Sequence, residues 1–488
     1  MIEDNDNRSL KERTAQGLFW GFLSSGGMQL LNLVIGIFLA RLLSPAEYGI
    51  VGMLSIFSLI AINLQDSGFG VALINIKNIK HNDYNAVFWF NLAMTLSLYV
   101  LLFACAPLIA RFYHQPCLTM LSRFLFIGFV FSALGVVPGA VLNRNLRVKE
   151  KAIINLLALV ISGIVGVTMA FKGYSYWSLA VQQVLYNVVT CFGRYICARW
   201  FPSFKVDFTP VKKMFSFSYK VLLTNILTNI NNNVLTVIFG RLFPAQDVGN
   251  YTQANKWNTM ANWTVSGTLS QVAQPVLTRI TDDKERLRRV YSKLMRFTGF
   301  MSFPAMLGLS LVAPQFILVA IGDKWEQSIP LLQILCVSGA FIPFYTVYQH
   351  LFLSLGKSGI YMWLNLAQIL LVITTVLICY PWGITAMVVA FACVNILWLL
   401  AWQFFARRLI GYGYRNMVRD MLPFIAITLC ALAVTALVTM PLSDIRLLLV
   451  ARIVIAALLY VLVMKLLNAK ILNECIDFIR FRNRKNND

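Results

Sequence analysis

Long apolar stretches alternate with short polar ones along the whole chain. A helix crossing a bilayer needs about 20 mainly apolar residues, with every backbone polar group paired inside the segment. Stretches of that kind lie at 17–40, 46–73, 84–109, 118–142, 152–171, 175–198, 214–240, 248–276, 294–319, 328–355, 360–379, 382–405, 420–440 and 445–467. They predict an all-α integral membrane protein of about fourteen transmembrane helices. The second and eighth stretches are long and rather polar. Residues 1–14 are polar and mixed in charge, and the apolar stretch after them exceeds a signal-peptide core. A cytoplasmic tail followed by a retained first helix is expected.

Composition supports lipid as the main solvent. Apolar residues make up 58% of the chain and charged residues 13%, against about 25% charged in a typical soluble domain. The net charge of +22 would suggest nucleic acid in a soluble protein. Here the basic residues fall mainly in short segments between apolar stretches, such as Arg144, Arg147, Lys149 and Lys151, or Lys205, Lys212 and Lys213. That is the positive-inside bias of cytoplasmic loops, so no nucleic-acid partner is expected. The bias predicts that both termini are cytoplasmic. The nine Cys residues form no C-x-x-C pair, and His81, His114 and His350 are scattered. Neither a disulfide framework nor a metal site is expected.

The chain repeats itself. Residues 39–49 read LARLLSPAEYG and residues 239–249 read FGRLFPAQDVG. Arg41 matches Arg241, Glu47 matches Asp247 and Gly49 matches Gly249 without a gap. Ala106-Pro107 matches Ala313-Pro314 further on. Six spans separate the copies, so both begin on the same side of the membrane. The expected arrangement is two parallel six-helix repeats around a central cavity. They would be an N-lobe at 15–200 and a C-lobe at 214–406, joined by a cytoplasmic linker at 201–213. Two extra helices at 418–468 and a basic cytoplasmic tail at 469–488 complete the chain.

The R-L-x-x-P-A-E-Y-G unit at 41–49, D-S-G-F-G at 66–70 and Q-P-V-L-T-R-I-T-D-D at 274–283 resemble signatures of bacterial polysaccharide flippases. The stretch 303–339 is similar to the colanic-acid and O-antigen branch. The superfamily also holds multidrug/toxin extruders and lipid II flippases. The resemblance implies a transporter of the bacterial inner membrane, with no catalytic residues. Its implied substrate is an oligosaccharide repeat unit on undecaprenyl pyrophosphate, flipped from the cytoplasmic to the periplasmic leaflet by alternating access. Implied besides are coupling to a proton or sodium gradient, no cofactor, and membrane lipids, a polysaccharide polymerase and glycosyltransferases as partners.

Moving a pyrophosphate and many hydroxyls through oil demands compensating charge and hydrogen bonds, since an unpaired buried hydroxyl costs roughly 2–7 kcal/mol. Polar residues inside spans are therefore the candidates. Lys256 either attracts pyrophosphate or snorkels to the interface. Arg41 and Arg241 either attract phosphate at the exit or fix the hairpins against Glu47 and Asp247. Lys220 and Arg194 either meet the headgroup on entry or anchor helix ends. Asp66 either binds the coupling ion or orients its glycine-rich turn. Asn225, Asn229, Asn232 and Asn233 recur at helical spacing and form one polar face on the seventh span. That face either lines the cavity or bonds to neighbouring helices. Gln182, Gln183, Asn187, Gln271, Gln274, Asn365, Gln368 and Asn395 form a weaker set.

The segment 282–297 reads as an amphipathic cytoplasmic helix on the membrane surface, with a capping box from Asp282 to Glu285. Two other functions compete. A cation-coupled drug antiporter would favour acids over Lys and amides in its cavity. A membrane glycosyltransferase or polymerase would need metal-binding acids near the membrane face and a sizeable loop, and no loop between the apolar stretches is that large.

Overall fold

A computed structural model describes residues 10–55, 57, 73, 79–145, 147–204, 207–209 and 233–467, with the side chains of residues 10–25, 268, 271, 272 and 275 excluded. Helices dominate, and no strand occurs among the described residues. Nine segments among them are long and apolar enough to cross a membrane, or ten if one bent helix pair counts as a span. The expected second and seventh spans lie largely outside the described residues.

The chain divides into two compact units, residues 1–249 and 250–488. In the first unit, α1 (Leu10–Leu42) gives way to α2 (Pro45–Met53), with a bend of 120° between residues 26–42 and α2. Ser44 builds the turn. Its hydroxyl accepts the Glu47 N–H at 3.4 Å, and its own N–H donates to Glu47 Oε2 at 2.6 Å. This capping box pairs two end groups that a helix otherwise leaves orphaned. Next come α3 (His81–Phe112), α4 (Leu118–Leu134), α5 (Val136–Arg144), α6 (Val148–Phe171) and α7 (Trp177–Ala198). A short helix, α8 (Asn233–Leu242), follows. At 241–245 the backbone repeats the helix–bend–helix sequence of 41–45 residue for residue.

The second unit holds most of α9 (Ala245–Thr278), then α10 (Lys284–Ala320), α11 (Ser328–Gly339), α12 (Ile342–Ser354), α13 (Ser358–Ile378) and α14 (Gly383–Ile410). It ends with α15 (Tyr414–Val438) and α16 (Ile445–Leu466). Large apolar side chains such as Val450, Ile453, Leu458 and Leu462 on α16 stay exposed, as lipid-facing residues do. Both α7 and α9 are long enough to span but fall short of that apolarity.

Two expectations about 282–297 change. The cap is Asp283, which accepts the Arg286 N–H at 2.9 Å, one residue later than expected. The segment is also not a separate surface helix, because it runs unbroken into the ninth span as α10. Leu287 and Tyr291 are fully buried, and Tyr291 packs against the rings of Tyr348 and Tyr412. An apolar stripe fits a protein partner as well as it fits lipid, and here tyrosines supply the partner.

Candidate functional site

The fourth and tenth spans are each interrupted by a short turn. In the first unit α4 stops at Leu134 and α5 resumes at Val136, around Gly135. In the second, α11 stops at Gly339 and α12 resumes at Ile342. A proline near the start of each second piece, Pro138 or Pro343, suits a helix start and cannot continue the preceding helix. The carbonyl of the residue that follows each first piece accepts a side-chain hydrogen bond. Arg194 Nη1 donates to Gly135 O at 3.2 Å, and Ser302 Oγ donates to Ala340 O at 2.7 Å.

The expected site residues distribute as follows. Arg194 lies in the break of the first unit, in a notch shaped by Gly135 and Gly139. A Cβ at either glycine would stand 3.4 Å from its guanidinium nitrogen. Lys256 is half-buried on α9, with its ammonium 5.6 Å from the centre of the adjacent Trp257 ring. Arg41 is exposed in the last turn of α1. Arg241 stands against His114 Nε2 and 5.5 Å from the centre of the Phe112 ring. Asn233 opens α8. Lys220, Asp66, Asn225, Asn229 and Asn232 lie outside the described residues. In the weaker set, Gln368 Nε2 donates to Asn395 Oδ1 at 2.8 Å, both buried, which joins α13 to α14.

The sequence marked α9 as rather polar but did not reveal its buried amide face. Asn250 donates to Gln327 Oε1 at 2.9 Å and accepts from Ser328 Oγ at 3.0 Å. Gln253, Asn258 and Asn262 are buried below it. Neither side-chain polar atom of Gln253 has a partner, nor does Asn262 Oδ1. The four-residue steps from Asn250 to Ala254, Asn258 and Asn262 were readable as one face, but the low apolarity of the span drew attention to its single Lys instead.

Sequence reasoning also missed Asp420. This carboxylate is 2% exposed and accepts from Arg296 Nε at 2.6 Å, Tyr412 Oη at 2.9 Å and Ser292 Oγ. Gln403 extends the network, donating to Tyr412 O and accepting from Tyr348 Oη, each at 2.6 Å. Burial, and after it the Asp420 carboxylate, holds the Tyr412 phenol far above its usual range, so it serves as a donor. On the other half of the same helix pair, Arg452 bonds Gln315 Oε1 at 3.0 Å and Thr439 Oγ1 at 3.3 Å. These two layers fix α15 and α16 to α10.

Long apolar helices enclosing buried amides, with half-buried cations such as Arg194 and Lys256 among them, define a multi-pass membrane protein with a polar interior. The chain belongs to the polysaccharide biosynthesis protein family, which matches residues 38–330. It is 26% identical over 337 residues to the lipopolysaccharide biosynthesis protein WzxC of Escherichia coli K12, covering 68% of each chain. It is 26% identical over 408 residues to the succinoglycan biosynthesis transport protein ExoT of Rhizobium meliloti, covering 83% of this chain and 80% of the relative. Its fold is similar to the lipid II flippase MurJ in an inward closed conformation. The TM-score is 0.76 at 16% identity, over 94% of this chain and 100% of that one.

Proposed function

We propose that the protein flips lipid-linked oligosaccharide units across the inner membrane, from the cytoplasmic to the periplasmic leaflet, and performs no bond chemistry. The family, and the transport and biosynthesis roles in its relatives' names, support the reading. One observation carries it physically. Helix α9 is too polar for lipid, yet it packs among apolar helices with Asn250, Gln253, Asn258 and Asn262 buried. Polar groups at that depth are costly unless they serve a hydrated path or each other.

In this reading the carrier is undecaprenyl pyrophosphate. Lys256, Arg41, Arg241, Lys220 and Arg194 meet its phosphates in turn, and the amide face from Asn225 to Asn233 meets the sugars. The N-lobe and C-lobe rock against one another, both termini face the cytoplasm, and Asp66 carries the coupling ion. A polymerase and glycosyltransferases work on either side of the step. The reading is tested by deleting the gene. Lipid-linked oligosaccharide should accumulate on the cytoplasmic leaflet, and the wild-type gene should clear it. Normal periplasmic delivery in the deletion strain, with no second flippase present, would contradict it.

A further inference from the structure

Helix α9 has a second face besides the buried amides. Lys256, Thr259, Trp263, Ser270, Gln274 and Thr278 follow one another at steps of three, four or seven residues, so they lie in one stripe along the helix. Lys256 is half-buried, and the other five are exposed. Lipid does not suit this stripe. Where α15 and α16 expose side chains they show Leu422, Leu429, Val450 and Leu458, whereas here hydroxyls and an amide surround one large ring.

That ring is out of place for an anchor. Exposed Trp in membrane proteins gathers at the two interfaces, as Trp382 does in the turn before α14. Trp263 is 65% exposed near the middle of the 34-residue α9. It stands about 27 Å along the axis from the helix start, too deep for an interfacial belt.

The hydroxyls on the stripe have a defined polarity. Ser270 Oγ donates to Ser266 O at 2.9 Å, and Thr278 Oγ1 donates to Gln274 O at 2.8 Å. Each proton is thus engaged with a carbonyl four residues back, which leaves the oxygens to accept. Between Lys256 and Arg279 the helix carries no charged residue. An acceptor-rich, uncharged stripe around an open indole fits a ligand that is rich in O–H donors, uncharged, and apolar on one face. A pyranose ring has those properties. Its hydroxyls donate outward, and its C–H face packs on the electron-rich face of an aromatic ring.

We propose that Trp263 is the stacking platform for an uncharged pyranose of the carried oligosaccharide, with Ser270, Gln274 and Thr278 hydrogen-bonding the hydroxyls of neighbouring sugars. The inference rests on the flippase reading and names the part of the cargo that this helix recognises. Lys256 lies about 10 Å from Trp263 along the same stripe, so one short oligosaccharide on its phosphate reaches both.

The test has two arms. In the first, Trp263→Cys and Leu458→Cys, whose native side chains are equally exposed at 65%, are reconstituted in vesicles. A charged, membrane-impermeant methanethiosulfonate is supplied on both sides. Mass spectrometry should show position 263 reacting at least tenfold faster than position 458, and lipid-linked oligosaccharide purified from a deletion strain should protect it. Equal rates at the two positions place Trp263 in lipid and overturn the proposal. In the second arm, the same lipid-linked oligosaccharide is followed across vesicles holding wild-type, Trp263→Phe or Trp263→Leu protein of matched melting temperature. Phenylalanine should keep at least a third of the wild-type rate, and leucine should lose at least fivefold. A leucine variant as fast as wild type overturns the stacking role alone. Wild-type protein that moves no oligosaccharide overturns the flippase reading and this inference with it.

Discussion

Gly49 and Gly249, equivalent residues of the two repeat hairpins, lie against each other in the first unit. A Cβ on Gly49 would stand 1.8 Å from Ala245 O, and one on Gly249 would stand 1.7 Å from Pro45 O. Each would also lie 3.0 Å from the other glycine's backbone nitrogen. The contact is reciprocal, as expected of a crossing about a pseudo-two-fold axis. Backbone touches backbone, so no side chain can yield to make room.

Gly49→Ala and Gly249→Ala should therefore each force the hairpins apart. Overpacking of a tight contact costs about 1–3 kcal/mol or more, and a clash with backbone belongs at the upper end. Either alanine should lower the melting temperature of the purified protein and reduce rescue of a deletion strain. A Gly267→Ala control, which meets nothing within 4 Å, should change neither.

The Asp420 network predicts an asymmetry between its partners. Arg296→Ala leaves a buried carboxylate with hydroxyl donors alone, and removing one member of a fully buried pair costs about 3–5 kcal/mol. The Arg296 side chain is 43% exposed, so the loss should fall below that range, to about 1–3 kcal/mol. The double variant Arg296→Met with Asp420→Leu should recover part of it. Thermal unfolding of the three proteins reads the difference.

Asp444 caps α16, and hydrogen bonds from the Arg446 and Leu447 N–H groups hold its carboxyl below the usual range of 3.8. A pKa depressed by folding stabilises the protein above the unfolded value and loses that contribution as pH falls through the folded value. Asp444→Ala should therefore melt below wild type at neutral pH, and the gap should close only below about pH 4. A gap independent of pH would show that the charge plays no part.

Lys256→Ala should slow oligosaccharide delivery at least tenfold without lowering the melting temperature, with Lys256→Arg retaining part of the rate. An interfacial role for the ammonium would instead leave delivery at the wild-type rate.

The hairpins were legible because their signals are local. Pro45, Ser44 and Glu47 specify a helix start wherever they occur, and the match of Arg41 to Arg241 announced a second copy. What those hairpins touch was not legible, since nothing near Gly49 in sequence points to Gly249. The interrupted spans carried a readable mark in Pro138 and Pro343, hidden by otherwise continuous apolar runs. Asp420 sits among Arg415 and Arg419 near a helix end, so it passed for an ordinary interfacial charge. Only its convergence with Arg296, Ser292 and Tyr412, brought from two other segments, reveals it. The amide ladder of α9 escaped for the opposite reason. Amides look like a weak span until burial shows that they face inward.

Protein reconstituted in sealed vesicles, with a radiolabelled undecaprenyl-pyrophosphate oligosaccharide on one leaflet, tests transport most directly. A membrane-impermeant glycosidase added outside reports how much label crosses. The account predicts that label becomes accessible in minutes with wild-type protein, and far more slowly with Lys256→Ala or protein-free vesicles. Equal rates in all three would contradict it.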